Sequence, residues 1–177
     1  MKRNTTRNIV LTALFSALMF VVTRFIQIPY PSMAGYFHFG DMFIFVAAFI
    51  VSPISGGLVG ALGGAMADAT SGFAQYMPFT VVIKFLMGVV AGSLFNLFKN
   101  KKGLRFLGVL IAVFINAAGY FFTDWLMFSW QGAVGALLPN LLQGTIGMIL
   151  TVILFKSTKD FRIFKVTYKD NCKEETK

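Results

Sequence analysis

Between residues 8 and 155 the chain runs through six long apolar segments, a pattern that limits the fold more than any motif does. A helix needs about 20 mostly apolar residues to cross a bilayer, with about 17 tolerated. By that measure 8–26, 38–52, 54–71, 79–98, 106–128 and 132–155 are read as spans, the second being short. The breaks between them are "QIPYPSMAG", "GFAQYMP" and "KNKKGLR", and the weakest lies at Ser52-Pro53. There Pro53 interrupts helical hydrogen bonding and Gly56-Gly57 is expected to permit a tight reversal. Hydrophobic residues make up 56% of the chain and charged residues 13%, too little charge to cover a water-soluble domain of 177 residues. The expectation is an all-α integral membrane protein, a bundle of six transmembrane helices.

Lysines and arginines orient that bundle. Three precede the first span (Lys2, Arg3, Arg7), four lie between spans four and five (Lys99, Lys101, Lys102, Arg105), and seven follow span six. Six crossings put all three groups on one side, which the positive-inside rule makes cytoplasmic. Five crossings would strand the last group outside. Residues 1–7 are thus read as a cytoplasmic N-terminus, 8–155 as the membrane domain and 156–177 as a cytoplasmic tail. The net charge of +9 is segregated in this way, so it is read as a topology signal, with no nucleic-acid partner. A basic start followed by an apolar run imitates a secretory signal. No small-residue cleavage pattern follows directly, and an uncleaved first span is expected.

Only Arg24 and Lys84 remain among the basic residues, and with Asp41, Asp68 and Asp124 they fall near or within spans. On the drawn topology all five lie in the outer half of the membrane. Each buried charge costs a few kcal/mol, so such groups face a cavity or one another. Their convergence points to a polar chamber open to the outside. Gln75, Tyr76, Thr80, Tyr120, Thr123, Asn140 and Gln143 fall in the same layer, with Asn116 deeper as a possible floor. Trp125 and Trp130 are read as interfacial anchors or as lining.

For several of these residues the sequence leaves structural alternatives open. Arg24 can snorkel to the headgroups. Asp68 can cap a helix or pair with Lys84. Asp41 can cap span two or touch a ligand. His38 is the chain's one histidine, within "GYFHFGD" at residues 35–41. Aromatic faces with a few placed polar groups build small-molecule pockets. The stretch is therefore read as a re-entrant lip in which Tyr36, Phe37 and His38 cover a flat ligand and Gly35 and Gly40 let the backbone fold over it.

Small residues recur at four-residue spacing. Gly56, Gly60 and Gly64 in span three suit close packing within the chain, while Ala13 and Ala17 in span one offer a notch for a separate membrane partner. No G-x-x-x-x-G-K-[ST] occurs, no cluster has metal-ligand spacing, and no nucleophile–base pair stands out. One cysteine, Cys172, excludes an internal disulfide. A pocket without an engine suggests a binding subunit that borrows its energy. A solitary facilitator is the physical alternative, although no inverted repeat supports it. Neither an enzyme activity nor a cofactor or metal is expected.

Two stretches, "ALFSA" at 13–17 and "GYFHFGDMFIFVAAFIVSPISGGLVGALGGAMADATSG" at 35–72, carry a resemblance. With the six-span size and topology, the chain resembles the substrate-binding S components of energy-coupling factor (ECF) vitamin transporters. It looks most like riboflavin-type superfamily members assigned to pyridoxine or hydroxymethylpyrimidine. The resemblance covers roughly residues 8–155. It implies a multi-pass protein of the bacterial cell membrane that binds a small vitamin or precursor from outside. The implied pocket lies between the first loop and the outer parts of spans four to six. Ala13 and Ala17 would then dock on a transmembrane coupling protein carried by two ATPase subunits. A heteroaromatic alcohol smaller than riboflavin is favoured, with Asp68 or Asp124 accepting hydrogen bonds from it. Asn140 and Gln143 would complete its hydrogen bonding, and Tyr36, Phe37 or Trp125 would stack on its ring. Riboflavin or another vitamin is the alternative.

Overall fold

The structure is a computed structural model that describes residues 5–29, 36–98, 100–101 and 104–157. Residues 1–4, Gly35 of the proposed lip and the tail beyond residue 157 lie outside the described residues. Among the described residues six α-helices make the bundle: α1 Thr5–Phe25, α2 Asp41–Ile50, α3 Pro53–Thr70, α4 Met77–Leu97, α5 Leu107–Met127 and α6 Trp130–Ser157. A two-residue antiparallel ladder, absent from the sequence reading, joins α1 to α2. Its strands are β1 Ile28–Pro29 and β2 Tyr36–Phe37, with Ile28 opposite Phe37 and Pro29 opposite Tyr36.

Among the described residues four helices are long and apolar enough to cross a membrane: α1, α4 with the turn before it, α5, and α6 as far as Phe155. Where a span was expected over 38–52, helix occupies only the ten residues of α2. At 1.5 Å per residue that is about 15 Å, half the hydrocarbon thickness. The outward faces are apolar. Leu14, Leu18, Phe114, Phe122, Leu138 and Leu142 are all exposed, as a lipid-facing surface requires.

The boundary between α2 and α3 works differently from the expected reversal. Pro53 does not merely interrupt a helix; it starts one, at the first helical position, where its missing N–H costs nothing. Ser52 caps that start, its Oγ accepting from the Ser55 backbone N–H at 3.1 Å. Gly56 and Gly57 are not in the turn at all. They lie inside α3, where a Cβ on Gly57 would sit 2.9 Å from the Phe85 carbonyl oxygen, and a Cβ on Gly60 2.7 Å from that of Lys84. Gly88 of α4 faces the same seam. Small residues thus bring the α3 and α4 backbones into contact, the close approach that helices in lipid use in place of hydrophobic burial.

Apolar and polar interiors separate along the bundle axis. At one end Phe49 of α2 stacks on Phe95 of α4 with centroids 4.0 Å apart, and Phe155 and Phe106 pack beside them. At the other end the chain collects its buried ionisable side chains, Asp41, Asp68, Lys84 and Asp124.

Candidate functional site

Because the helices alternate in direction, residues late in α1, α3 and α5 meet residues early in α2, α4 and α6. Thr23, Asp68 and Asp124 come from the first set; Asp41, Thr80, Lys84, Asn140 and Gln143 from the second. All eight are buried.

Deepest is an ion pair. Lys84 Nζ lies 2.7 Å from Asp41 Oδ1, and the two side chains are 1% and 0% exposed. A buried pair is tolerated only when its remaining hydrogen-bonding capacity is met. Here it is: Lys84 also donates to Asn116 Oδ1 at 2.8 Å, and Gln143 Nε2 donates to Asp41 Oδ2 at 3.1 Å. Asn116 in turn donates to the Asn140 backbone carbonyl at 3.4 Å. These bonds tie α2, α4, α5 and α6 together. Asp41 neither caps α2, whose cap position is Gly40 without a side-chain bond, nor reaches the cavity wall. Its partner is Lys84, so Lys84 is not the partner of Asp68.

Asp68 instead takes two hydroxyl donors. Tyr36 Oη donates to Oδ1 at 2.8 Å and Thr80 Oγ1 to Oδ2 at 2.5 Å, and Thr80 touches Tyr120 Oη at 3.0 Å. Tyr36 lies in β2, outside the helices. Burial first, and the Asp68 charge second, raise its pKa above the ordinary tyrosine value, so the phenol stays a donor. The bond holds the ladder to the last turn of α3, and Gln27, whose Nε2 donates to Ser71 Oγ at 2.7 Å, adds a second tie. Asp124 of α5 accepts from Tyr76 Oη at 2.6 Å.

Between these groups is a cavity of about 540 Å³, its open mouth included. Tyr36, His38, Asp68, Tyr76 and Lys84 line it, as do Tyr120, Asp124, Asn140 and Gln143. Nine of the twelve sequence candidates therefore meet at one cavity. Asp41 lies behind the wall. Phe37 turns aside and packs edge-on against Phe39 at 5.2 Å. Gln75 is exposed on the 3₁₀ turn Ala74–Tyr76. Trp125 and Trp130 are half exposed, pack on each other at 5.6 Å and stay off the wall.

The lip differs from expectation in its use of glycine. Gly40 has an ordinary helical φ of −63°, so conformational freedom is not why glycine stands there. A Cβ would collide with Thr23 Oγ1 and press on His38 Nδ1 at 3.2 Å. The backbone N–H of Gly40 donates to that same Nδ1 at 3.1 Å, which leaves the ring proton on Nε2.

Thr23, Phe73 and Ala136, which the sequence did not single out, complete the lining with Thr80 and Gly64. Thr80 fell in the same layer as the acids, and Gly64 was read as packing only. Thr23, Phe73 and Ala136 carried no signal, and only the fold turns them inward. Among the described residues no three His, Cys, Asp or Glu side chains gather to hold a metal. Two carboxylates, two amides and several aromatic rings on one cavity wall suit reversible binding of a small polar molecule.

Comparison with known proteins agrees on the family. A family model described as the ECF-type riboflavin transporter, S component, matches residues 3–160. An uncharacterised protein of Pyrococcus woesei is 32% identical over 130 residues, covering 73% of this chain and 86% of the relative. The thiamine precursor transporter HmpT of Lactococcus lactis subsp. cremoris is 29% identical over 149 residues, covering 84% and 85%. A solved structure described as the S component of a bacterial ECF transporter shares the fold, with a TM-score of 0.70 at 20% identity over 89% of this chain and 98% of that one. The family described by that match is a transporter component rather than an enzyme. The chain belongs to the ECF-type riboflavin transporter S component family.

Proposed function

We propose that this chain is the high-affinity capture subunit of an ECF-type importer and that its ligand is a small heteroaromatic vitamin precursor, with hydroxymethylpyrimidine favoured and pyridoxine next. The observation that carries the reading is the Asn140 side chain. It is 8% exposed, lines the cavity, and meets no hydrogen-bond partner among the described residues. A buried amide left unbonded costs about 1–3 kcal/mol, which a bound ligand recovers. The HmpT relative is described as a thiamine precursor transporter, and a hydroxymethylpyrimidine is one half of thiamine's structure. One flat ring with hydroxyl and nitrogen substituents matches a cavity lined by Asp68, Asp124, Asn140 and Gln143.

In this reading the cavity opens to the outside and both termini are cytoplasmic, as the basic residues suggest. Asp68, Asp124, Asn140 and Gln143 bond the ligand, and Tyr36 and His38 close over it. Ala13 and Ala17 are exposed on α1. They form the face that docks on a transmembrane coupling protein, which two ATPase subunits drive. Riboflavin is the second reading, favoured by the description of the matching family.

Mass spectrometry of ligand retained through purification tests the assignment. A pyrimidine or pyridine precursor is the expected mass. Riboflavin would transfer the assignment to the second reading, and uptake persisting in cells without coupling partners would replace capture by facilitation.

A further inference from the structure

Resting on the capture reading above, the internal hydrogen bonds of the cavity define the pattern a ligand must carry. Thr80 has a single hydroxyl proton. It goes to Asp68 Oδ2 at 2.5 Å, since a carboxylate only accepts. The 3.0 Å contact between Thr80 Oγ1 and Tyr120 Oη therefore has Tyr120 as donor. Tyr36 has likewise committed its proton to Asp68, and Tyr76 to Asp124. Three phenols at the wall are thus restricted to accepting.

The carboxamide of Gln143 is half committed. One N–H of its Nε2 goes to Asp41, which leaves Oε1 as an acceptor and the second N–H as a donor. Asp124 Oδ2 has no hydrogen-bond donor among the described residues. The donors left are one N–H of Lys84, the Nε2–H of His38, the second N–H of Gln143 and the amide nitrogen of Asn140, none of them a hydroxyl. Charge runs the same way. Lys84 is matched by Asp41, and among the described residues no salt bridge reaches Asp68 or Asp124. A wall of acceptors carrying uncompensated carboxylates disfavours ligand carbonyls and anions alike.

We propose that this pocket selects a donor-rich ligand without negative charge, an amino-substituted heteroaromatic, and that Thr80, acting through Tyr120, sets this preference. Thr80 is a positioning residue here. By taking the Tyr120 proton it turns the phenol oxygen into an acceptor for a ligand N–H.

The test is calorimetric titration of the purified, detergent-solubilised full chain with three probes. They are 4-amino-5-hydroxymethyl-2-methylpyrimidine, its 4-oxo counterpart with a carbonyl in place of the amino group, and its phosphate ester. The amino compound is expected to bind at least ~30-fold more tightly than the oxo compound, because a mismatched buried hydrogen bond leaves a protein group unpaired. The phosphate ester is expected not to bind. Thr80→Val releases the Tyr120 proton to a ligand carbonyl, so the amino-to-oxo ratio should fall at least ~5-fold, and Thr80→Ser should restore it. The wild-type ratio decides the matter even if Thr80→Val fails to fold. Equal affinity for the amino and oxo compounds, or binding of pyridoxine in preference to both, overturns this inference and leaves heteroaromatic capture standing. If none of these compounds nor pyridoxine binds, the capture reading and this inference fall together.

Discussion

Lys84, early in α4, reaches Asp41 at the first turn of α2 with 2.7 Å between Nζ and Oδ1, and both side chains are buried. The pair couples a ten-residue helix, too short to be secured by its own length, to a helix that crosses the bundle.

Removing one member of this pair leaves the other charge buried and unmatched. Lys84→Met is expected to destabilise the protein by about 3–5 kcal/mol, and the double substitution with Asp41→Leu to recover more than half of that. Chemical denaturation in detergent measures both. Full additivity of the two losses would show that the charges do not act as a pair.

Asn140 has the opposite signature. Its side chain makes no internal bond among the described residues, so Asn140→Ala should leave the thermal midpoint nearly unchanged. Ligand affinity should drop by about 1–3 kcal/mol if the amide bonds the ligand. An unaltered dissociation constant removes Asn140 from the binding surface.

Tyr36 holds the β1–β2 ladder to α3 through Asp68. Tyr36→Phe keeps the ring and deletes the bond, and should weaken ligand binding by about 1–2 kcal/mol through faster release. Stopped-flow displacement reads the off-rate. If only the on-rate moves, the hydroxyl does not help retain the ligand.

Bulk at the α1 notch separates assembly from capture. Ala13→Leu with Ala17→Leu should abolish co-purification with the coupling protein and ATPases while ligand affinity stays within about twofold, because the two alanines face away from the cavity. Retained co-purification would place the docking surface elsewhere.

How far the sequence reaches differs between the fold and the site. Helices were legible because lipid demands long apolar stretches, and the run from Phe79 to Leu97 can satisfy that demand in one conformation only. The reversal at Ser52-Pro53 was legible as a break, but its mechanics were not. Whether Gly56 and Gly57 turn the chain or let two helices touch depends on what lies opposite them. The two-residue ladder was invisible, since Ile28, Pro29, Tyr36 and Phe37 carry no strand periodicity.

For the site, the chain order alone told that Asp41, Asp68, Lys84 and Asp124 share one end of the bundle. Alternating helix direction converts sequence position into depth, and charges in a low-dielectric medium gather where they can be matched. Pairing was beyond its reach. That Lys84 meets Asp41 and leaves Asp68 to two hydroxyls follows from how α2, α3 and α4 rotate and cross, and those angles are set by contacts between small residues such as Gly60 and Gly88 rather than by any local preference. The amino-acid order determined which groups are buried together; the packed helices decided which hydrogen bond each one makes.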